Sequence, residues 1–518
     1  MSTATPALRT KSAHTTPLNF RQWLALAALT LPVLIIAIDS TVLGFAVPAL
    51  SADLKPSSTQ LLWIVDIYSF ILAGLLITMG TLGDRIGRRK LLLIGATGFG
   101  VTSAIAAFAP SAELLIAARA LMGISGATLM PSTLSLIRNV FTDRQQRRLA
   151  IAVWAAAASG GAALGPIVGG LLLNHFSWGS VFLINLPIMV VLLILAPFVV
   201  PESRTSNPGK YDLLSVALTL GSILPFVYGI KRLSHDGFDV VTAACLIAGI
   251  AIGIWFVRRQ LWLSSPMIDV SLFTNRVFST AVCVNLLSVF ALVSSLFFAT
   301  QYLQGVLGLD ALTSALWLLP AMAASVIMSL VAVLIARKFS LAVSISAGMF
   351  LATIGYVLMV FLGSGHDVAV VGGGLLLIGA GIGLAETLTN DAIMSAVPAN
   401  RAGAASAISE TAYEMGAALG VAIMGSIMAA SYASRLRFPQ GTPDDVRQAA
   451  HETLGAGLSA AETLPSRLGD AVIDAVSSAF TSAIHVTSAI AAVIVLAGAI
   501  GSLVVLGSHK ARALAERD

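Results

Sequence analysis

Apolar runs of about 20 residues, separated by short charged loops, recur along almost the whole chain. A helix needs about 20 apolar residues to cross a bilayer, so this spacing predicts a series of membrane spans. Hydrophobic residues make up 57% of the 518 residues and charged residues 11%, whereas a soluble domain has about 25% charged residues. Alternating ten-residue strand patterns are absent, which argues against a β-barrel. We therefore predict an all-α integral membrane protein.

Fourteen spans are predicted, with both termini in the cytoplasm. With the N-terminus inside, 22 of the 30 basic residues fall in inner segments and seven, including Lys231, in outer segments. The polar start up to Phe20 is followed by an apolar run without a small-residue cleavage site, which predicts a retained first helix. The predicted spans are 22–46, 60–81, 89–109, 112–137, 148–171, 178–200, 211–231, 238–258, 277–303, 312–336, 341–362, 368–394, 403–429 and 485–507.

An internal repeat predicts that the chain has two similar halves. The letters GAALG at Gly161–Gly165 recur at Gly416–Gly420, in spans 5 and 13. These spans run in the same direction, as two parallel six-helix halves separated by two extra helices would give. A match of five letters in Gly/Ala-rich sequence can also arise by chance. The predicted parts are a cytoplasmic tail (1–21), an N-terminal bundle (22–200), two extra helices (211–258), a C-terminal bundle (277–507) and a second cytoplasmic tail (508–518).

Span 5 carries a face of glycines. Gly161, Gly165 and Gly169 are four residues apart and share one side of a helix, and Gly170 follows. Small residues let two helices pack closely in lipid, and Pro166 removes one backbone donor, which loosens the helix. The face is either an ordinary packing surface or the hinge of a protein that moves.

The segment 430–484 interrupts the regular series of spans on the outer side. It mixes charged residues with leucine and valine at rough helical spacing, which predicts one or two short amphipathic helices. We expect a surface loop here, although a lid over an exit path is the alternative.

Ionisable residues within the predicted spans are functional candidates, because inserting each into a bilayer costs about 2.5–3.5 kcal/mol. Asp39, Asp66 and Arg119 are predicted at a similar depth in the outer third of spans 1, 2 and 4. Two carboxylates and a guanidinium can therefore meet in one layer and form a proton site. The alternative is a structural pairing that allows Arg119 to be buried.

A second acidic group is predicted deeper in the other half. Glu410 and Glu414 lie on one face of span 13, with Tyr413 beside them, and Glu386 lies on span 12. Two carboxylates on one face repel, so one can hold a proton. We predict a proton carrier, a cation site or both, with Glu410 alternatively at the wet interface.

The predicted spans hold five acids and one arginine, which suits a lipophilic cation. Trp63, Tyr68 and Tyr413 are candidate walls of its site, through contact between the cation and aromatic rings. The net charge of +5 does not indicate nucleic-acid binding, because the basic residues lie at helix ends. Cys245 and Cys283 fall in apolar runs, so buried thiols are expected and no metal site is. No phosphate-binding loop of the form GxxxxGK[ST] is found, which argues against ATP.

Several motifs resemble those of the major facilitator superfamily. The loop after span 2, with Gly80, Gly83, Asp84, Arg85, Gly87 and Arg88, resembles that superfamily's signature cytoplasmic loop. Its glycines allow a tight turn, and Asp84 is expected to cap or pair across it as an inner gate. Leu115 to Arg119, followed by Gly123, resembles the motif whose arginine is linked to proton coupling. Gly161, Gly165, Pro166, Gly169 and Gly170 resemble the antiporter motif.

Other segments resemble the fourteen-helix drug:proton antiporters within that superfamily. They are Asp39 to Val42, Ala46 to Pro48, Ser177-Trp178, Phe182 to Pro187 and Gln301 to Gln304. Asp66 and the Glu410–Glu414 pair are most similar to pumps of the SmvA, QacA and LfrA type. That resemblance implies export of quaternary ammonium compounds, cationic dyes and biocides.

We therefore expect a proton-coupled antiporter that exports hydrophobic mono- and divalent cations across a bacterial inner membrane. We expect it to be a monomer, to need no cofactor and not to be an enzyme. Asp39, Asp66, Arg119, Glu386, Glu410 and Glu414 are the predicted proton-coupling residues. Asp39, Asp66, Trp63, Tyr68, Tyr413 and Glu414 are the predicted substrate contacts. The alternatives are a nutrient symporter, an exporter of lipids or metabolites, a membrane sensor or scaffold, and a membrane enzyme.

Overall fold

A computed structural model describes residues 19–141, 144–204, 212–235, 237–263, 266, 268–363, 368–397 and 402–515. These residues form a bundle of helices. The first half contains α1 (Phe20–Leu54), α2 (Ser58–Ile86), α3 (Arg88–Ala107), α4 (Ala112–Val140), α5 (Arg144–His175), α6 (Ser180–Leu183) and α7 (Asn185–Val199). Two further helices follow, α8 (Leu213–His235) and α9 (Val240–Trp262).

The second half contains nine helices. They are α10 (Arg276–Gln301), α11 (Ala311–Lys338), α12 (Leu341–Val360), α13 (Val368–Ser395), α14 (Ala402–Leu419), α15 (Gly425–Arg435), α16 (Asp444–Glu452), α17 (Leu454–Ala461) and α18 (Ser466–Ala515). A 3₁₀ segment (Val270–Thr274) precedes α10, and π-helical segments follow α10 (Tyr302–Val306) and α14 (Gly420–Met424).

The structure places a helix at each of the fourteen predicted spans. Thirteen helical segments in the described part are long and apolar enough to cross a membrane. The fifth predicted span, 148–171, lies within α5, which is a continuous helix but is not one of the thirteen. The all-helical prediction is therefore confirmed. Thirteen of the fourteen predicted spans match one of these helical segments.

The largest error in the predicted boundaries concerns the last span. The prediction places it at 485–507, whereas α18 has 50 residues, from Ser466 to Ala515. At 1.5 Å per residue this helix is about 75 Å long, well beyond the 40–45 Å of a whole bilayer. Residues 466–484, which we predicted within the surface segment 430–484, therefore form the N-terminal part of a helix that continues into the last span.

The repeated glycine motif makes the same helix contact in both halves. On α5, a Cβ added to Gly161 would lie 2.5 Å from the carbonyl oxygen of Leu34 on α1. On the second copy, a Cβ added to the equivalent Gly416 would lie 2.6 Å from the carbonyl oxygen of Leu286 on α10. Each motif thus lets one helix approach the backbone of the first helix of its own half. The shared packing supports the interpretation of the repeat as two parallel halves.

The two halves meet mainly along two pairs of helices. The α5 helix packs against α11, and α2 packs against α14. Gly170 lies at the first of these contacts, where an added Cβ would be 2.6 Å from the Cα atom of Leu312. The extra helix α8 packs against α2 of one half and α15 of the other, and α9 packs against α8. The α8 helix therefore lies at the seam between the halves.

Polar contacts join the halves at the end of the bundle that carries α16 and α17, which is the predicted outer end. Asn174, at the end of α5, donates a 3.2 Å hydrogen bond to Asp310, which caps α11. Hydrogen bonds from Thr313 and Asn174 lower the pKa of the Asp310 carboxyl to about 2, so this contact is ionised at physiological pH. The Gln304 amide donates to the carbonyl oxygen of Phe45 at 3.4 Å. We refer to this end as the outer end.

The segment between α15 and α18 is more than the surface loop that we expected. Its two short helices are confirmed, but Val446, Leu454 and Ala461 are buried rather than lying on a surface. The α17 helix packs against α1 and α18, and the Glu452 carboxylate accepts a 3.3 Å hydrogen bond from the backbone N–H of Ser58. The segment therefore contacts both halves at the outer end.

The loop between α2 and α3 is held by the chain that follows α7. Gly87 has a φ of +108°, which favours glycine, and its N–H bonds the carbonyl oxygen of Gly83 at 3.0 Å. The Glu202 carboxylate accepts hydrogen bonds from the backbone N–H groups of Arg89 (3.0 Å) and Lys90 (3.2 Å), so it caps α3. The side chain of Asp84, predicted to cap or pair here, lies outside the described part of the structure.

Candidate functional site

A cavity of about 130 Å³ lies between the two halves. Its polar groups include Asp66 and Arg119 from the first half and Tyr413 and Glu414 from α14. The remaining wall is mostly apolar. It comes from α1, α2, α5, α10, α11, α14 and the π-helical segment after α14: Ser40, Thr41, Leu43, Gly44, Phe45, Val65, Ser69, Pro166, Val293, Leu296, Phe297, Thr300, Leu318, Met322, Ala417, Ala418 and Val421. An apolar pocket with a few convergent polar groups is the usual form of a small-molecule site.

Beside this cavity, Arg119 and Asp39 form a buried ion pair. The Arg119 guanidinium donates a 2.7 Å hydrogen bond to the Asp39 carboxylate, and the two side chains are 2% and 1% exposed. Arg119 also donates to the carbonyl oxygen of Ile64 at 3.2 Å, and it lies 4.5 Å from the centre of the Tyr68 ring. The other Asp39 oxygen accepts a 3.2 Å bond from Asn185. The charge of Arg119 is thus compensated, as its burial requires.

Asp66 forms a second buried ion pair, and its partner corrects the prediction for Lys231. The Lys231 ammonium, on α8, lies 3.0 Å from the Asp66 carboxylate, and the side chains are 0% and 1% exposed. We expected Lys231 in an outer segment, but α8 continues to His235 and carries Lys231 within an apolar span. A lysine can lie there because a carboxylate on the neighbouring helix compensates its charge.

Trp63 completes the surroundings of Lys231. The Lys231 nitrogen lies 4.2 Å from the centre of the Trp63 ring, one helical turn before Asp66 on α2. An ammonium over an indole face is attracted by the ring electrons. Lys231 is therefore held by a carboxylate and an aromatic face at once.

Three glutamates form the acidic part of the second half. Glu410 interacts electrostatically with both Glu386 on α13 and Glu414 on α14. Glu414 is buried and lies within hydrogen-bonding reach of Ser69, whereas Glu386 and Glu410 are half-buried. Within the described part, no ion pair joins any of the three to a basic side chain. Asp391 is exposed near the end of α13.

The buried charges are therefore distributed unequally between the halves. In the first half, Asp39 and Asp66 are each paired with a cationic side chain. The predicted count of five acids and one arginine within the spans is therefore wrong, because it left out Lys231. Among the described residues of the membrane spans, the buried or half-buried carboxyl groups without a cationic partner are Glu386, Glu410 and Glu414 in the second half. Of these three, Glu414 lines the cavity.

The structure separates the predicted contact residues into two groups. Asp66, Tyr413 and Glu414 line the cavity. Asp39, Trp63 and Tyr68 lie behind the wall, because Asp39 and Tyr68 face Arg119 and Trp63 faces Lys231. Pro166 also reaches the cavity, beside the glycines that contact α1.

The sequence analysis did not predict the contacts that Lys231, Asn185 and Glu202 make. A signal was available for Lys231, since the apolar pattern of α8 continues to Leu233 through the two basic residues. Asn185 follows an apolar run in the segment Phe182 to Pro187, which resembles a motif of the drug:proton antiporters. Because Asn185 is buried, its polar side chain needs hydrogen-bond partners. No group of three or more His, Cys, Asp or Glu residues placed to hold a metal ion occurs among the residues described.

Comparison with known proteins gives matches over most of the chain. Residues 29–421 match the family profile of the Major Facilitator Superfamily. The chain is 48% identical over 485 residues to the multidrug efflux pump LfrA of Mycolicibacterium smegmatis, covering 94% of this chain and 96% of that protein. It is 38% identical over 463 residues to the methyl viologen resistance protein SmvA of Salmonella typhimurium, covering 89% and 93%.

A solved structure with the same fold is a bacterial homologue of the human lysosomal transporter Spinster, in an inward-facing and unoccupied conformation. The TM-score is 0.67, the identity is 17%, and the alignment covers 94% of this chain and 99% of that one. At this identity the likeness concerns the fold alone.

Proposed function

Because this chain belongs to the Major Facilitator Superfamily, we propose that it exports lipophilic organic cations in exchange for protons. The chain is a membrane transporter and not an enzyme. Relatives that share most of its length are named as a multidrug efflux pump and a resistance protein, which supports outward transport of small molecules. The nature of the transported molecule and its coupling to protons are inferred from the cavity.

One observation carries the proposal for the substrate: carboxylates from both halves border a single apolar cavity. Asp66 reaches it from α2 and Glu414 from α14, and the aromatic residues Phe45, Phe297 and Tyr413 also line it. Carboxylates and aromatic faces together recognise organic ammonium groups. A flat or branched cation can thus be held by its charge and its apolar body at once.

Glu414 is the proposed point of exchange between substrate and proton. It lines the cavity and is electrostatically coupled to Glu410, which is coupled in turn to Glu386. A bound cation and a bound proton neutralise the same negative charge, so each favours release of the other. Glu386 and Glu410 extend this acidic group along α13 and α14 and can pass the proton on.

The proposed driving force is the proton gradient of a bacterial inner membrane, with both termini in the cytoplasm and no cofactor. The halves move about the cavity and expose it to one side and then the other. We expect this movement to take place at the glycine contacts of α5 with α1 and α11. A monomer is sufficient for this cycle, because the cavity is built within one chain.

Proton release on substrate binding tests the proposal. Tetraphenylphosphonium, a lipophilic cation, is added to the purified protein in weakly buffered detergent solution, and the pH is followed together with binding. We expect protons to be released as the cation binds, and we expect Glu414→Gln to remove that release. Cation binding without any proton release would contradict the proposed exchange.

A further inference from the structure

Asp66 has two neighbours, the cavity on one side and the Lys231 ammonium on the other. Its carboxylate lines the cavity and lies 3.0 Å from the Lys231 nitrogen. Lys231 itself is not among the described residues that line the cavity. A cation that enters the cavity therefore meets a carboxylate that is already neutralised from behind.

Lys231 uses the two groups that would recognise an organic cation. Its charge is paired with Asp66, and its ammonium lies 4.2 Å from the centre of the Trp63 ring. A carboxylate and an indole face are the partners that a quaternary ammonium compound prefers. Lys231 thus fills the place of a cationic ligand, although it is attached to the protein.

The helix that carries Lys231 lies where the two halves meet. The α8 helix contacts α2 in the first half and α15 and the π-helical segment Gly420–Met424 in the second half. The neighbouring basic residue Arg232 points elsewhere, since it pairs with Asp239 at a half-exposed position. The geometry therefore singles out Lys231 rather than the basic character of this helix end.

We propose that Lys231 is a tethered competitor of the cationic substrate, which must displace the lysine from Asp66 and Trp63 in order to bind there. This inference rests on the proposed function, since it assumes a cationic substrate. Only a cation that interacts with Asp66 better than the lysine does gains access to the site. The extra helix α8 thereby sets a threshold of affinity and selects substrates by charge.

Two substitutions with opposite expected effects test this competition. Lys231→Met removes the competitor and leaves the Asp66 charge for the ligand, so tetraphenylphosphonium should bind about tenfold more tightly. Lys231→Arg keeps the positive charge and grips the carboxylate with two N–H groups, so the same ligand should bind more weakly. Arg232→Met is the matched control, which should bind as the wild type does.

Binding is measured by titration calorimetry on purified protein, with thermal unfolding as the check that each variant is folded. Triphenylphosphine oxide, a neutral molecule of similar bulk, is the control ligand, and its affinity should not change with Lys231. If Lys231→Arg binds the cation as tightly as the wild type, the inference is wrong. A folded Lys231→Met protein that binds it no more tightly also overturns the inference. If the wild type and all variants fail to bind the cation, the proposed function itself is contradicted.

Discussion

The Arg119 guanidinium lies 2.7 Å from the Asp39 carboxylate, and both side chains are buried between α1 and α4. Arg119 also donates hydrogen bonds to the carbonyl oxygens of Ile64 and Val65 on α2. Three helices of the first half are therefore joined by one side chain. Because the pair is neutral as a whole, it fixes the wall of the cavity without adding net charge to it.

Removal of Asp39 should destabilise the protein more than removal of the whole pair. Asp39→Asn leaves the Arg119 charge buried without compensation, which costs about 3–5 kcal/mol. Asp39→Asn combined with Arg119→Gln removes both charges and should recover most of that loss. Thermal unfolding of the purified variants measures both effects. A double variant no more stable than Asp39→Asn would show that the pair does not act as a unit.

Glu414→Gln should weaken the binding of tetraphenylphosphonium by about tenfold. Glu414 is the glutamate of the second half that borders the cavity, so its charge acts directly on a bound cation. Asp391→Asn is the matched control, because Asp391 is exposed at the end of α13 and should have no effect. Equal losses in the two variants would point to the overall field and not to a contact at Glu414.

A side chain at Gly170 should stop transport, while one at Gly160 should not. The Cβ of Gly170→Ala would lie 2.6 Å from the backbone of Leu312 and would push α5 away from α11. An alanine at Gly160 meets nothing within 4 Å. We expect dye efflux from cells to fall by at least about tenfold in Gly170→Ala at equal expression. Unchanged efflux in that variant would show that transport does not depend on the close contact between Gly170 and Leu312.

A cross-link at the outer end should arrest the transporter reversibly. Asn174→Cys and Asp310→Cys place two thiols where the side chains now hydrogen-bond across the halves. In a background without Cys245 and Cys283, copper phenanthroline should form the disulfide and stop dye efflux, and reductant should restore it. The single cysteine variants are the controls. Full efflux with the disulfide in place would show that the outer ends need not separate.

The helices and the glycine contacts could be predicted because their signals are local. A run of about 20 apolar residues is sufficient to predict a span, and a spacing of four is sufficient to align Gly161, Gly165 and Gly169. Depth alone predicted that Asp39, Asp66 and Arg119 lie in one layer, but it could not tell which of the two carboxylates pairs with Arg119. These predictions needed no knowledge of which helices are neighbours.

The position of Lys231 could not be predicted in the same way. A basic residue at the end of an apolar run normally marks the membrane surface, and Lys231 has that appearance in the sequence. Its burial depends on Asp66, which belongs to α2 and comes close only because α8 packs at the seam between the halves. The same reason explains the burial of Leu454, because its helix α17 packs against α1 and α18.

Transport in proteoliposomes under an imposed pH gradient tests the central claim most directly. The purified protein is reconstituted, and uptake of ethidium is followed with the lumen more acidic than the outside. The account predicts that the cation accumulates against its own gradient while protons leave, and that dissipating the pH gradient stops the accumulation. Ethidium movement that is only downhill, and equal with and without the pH gradient, would contradict proton-coupled export.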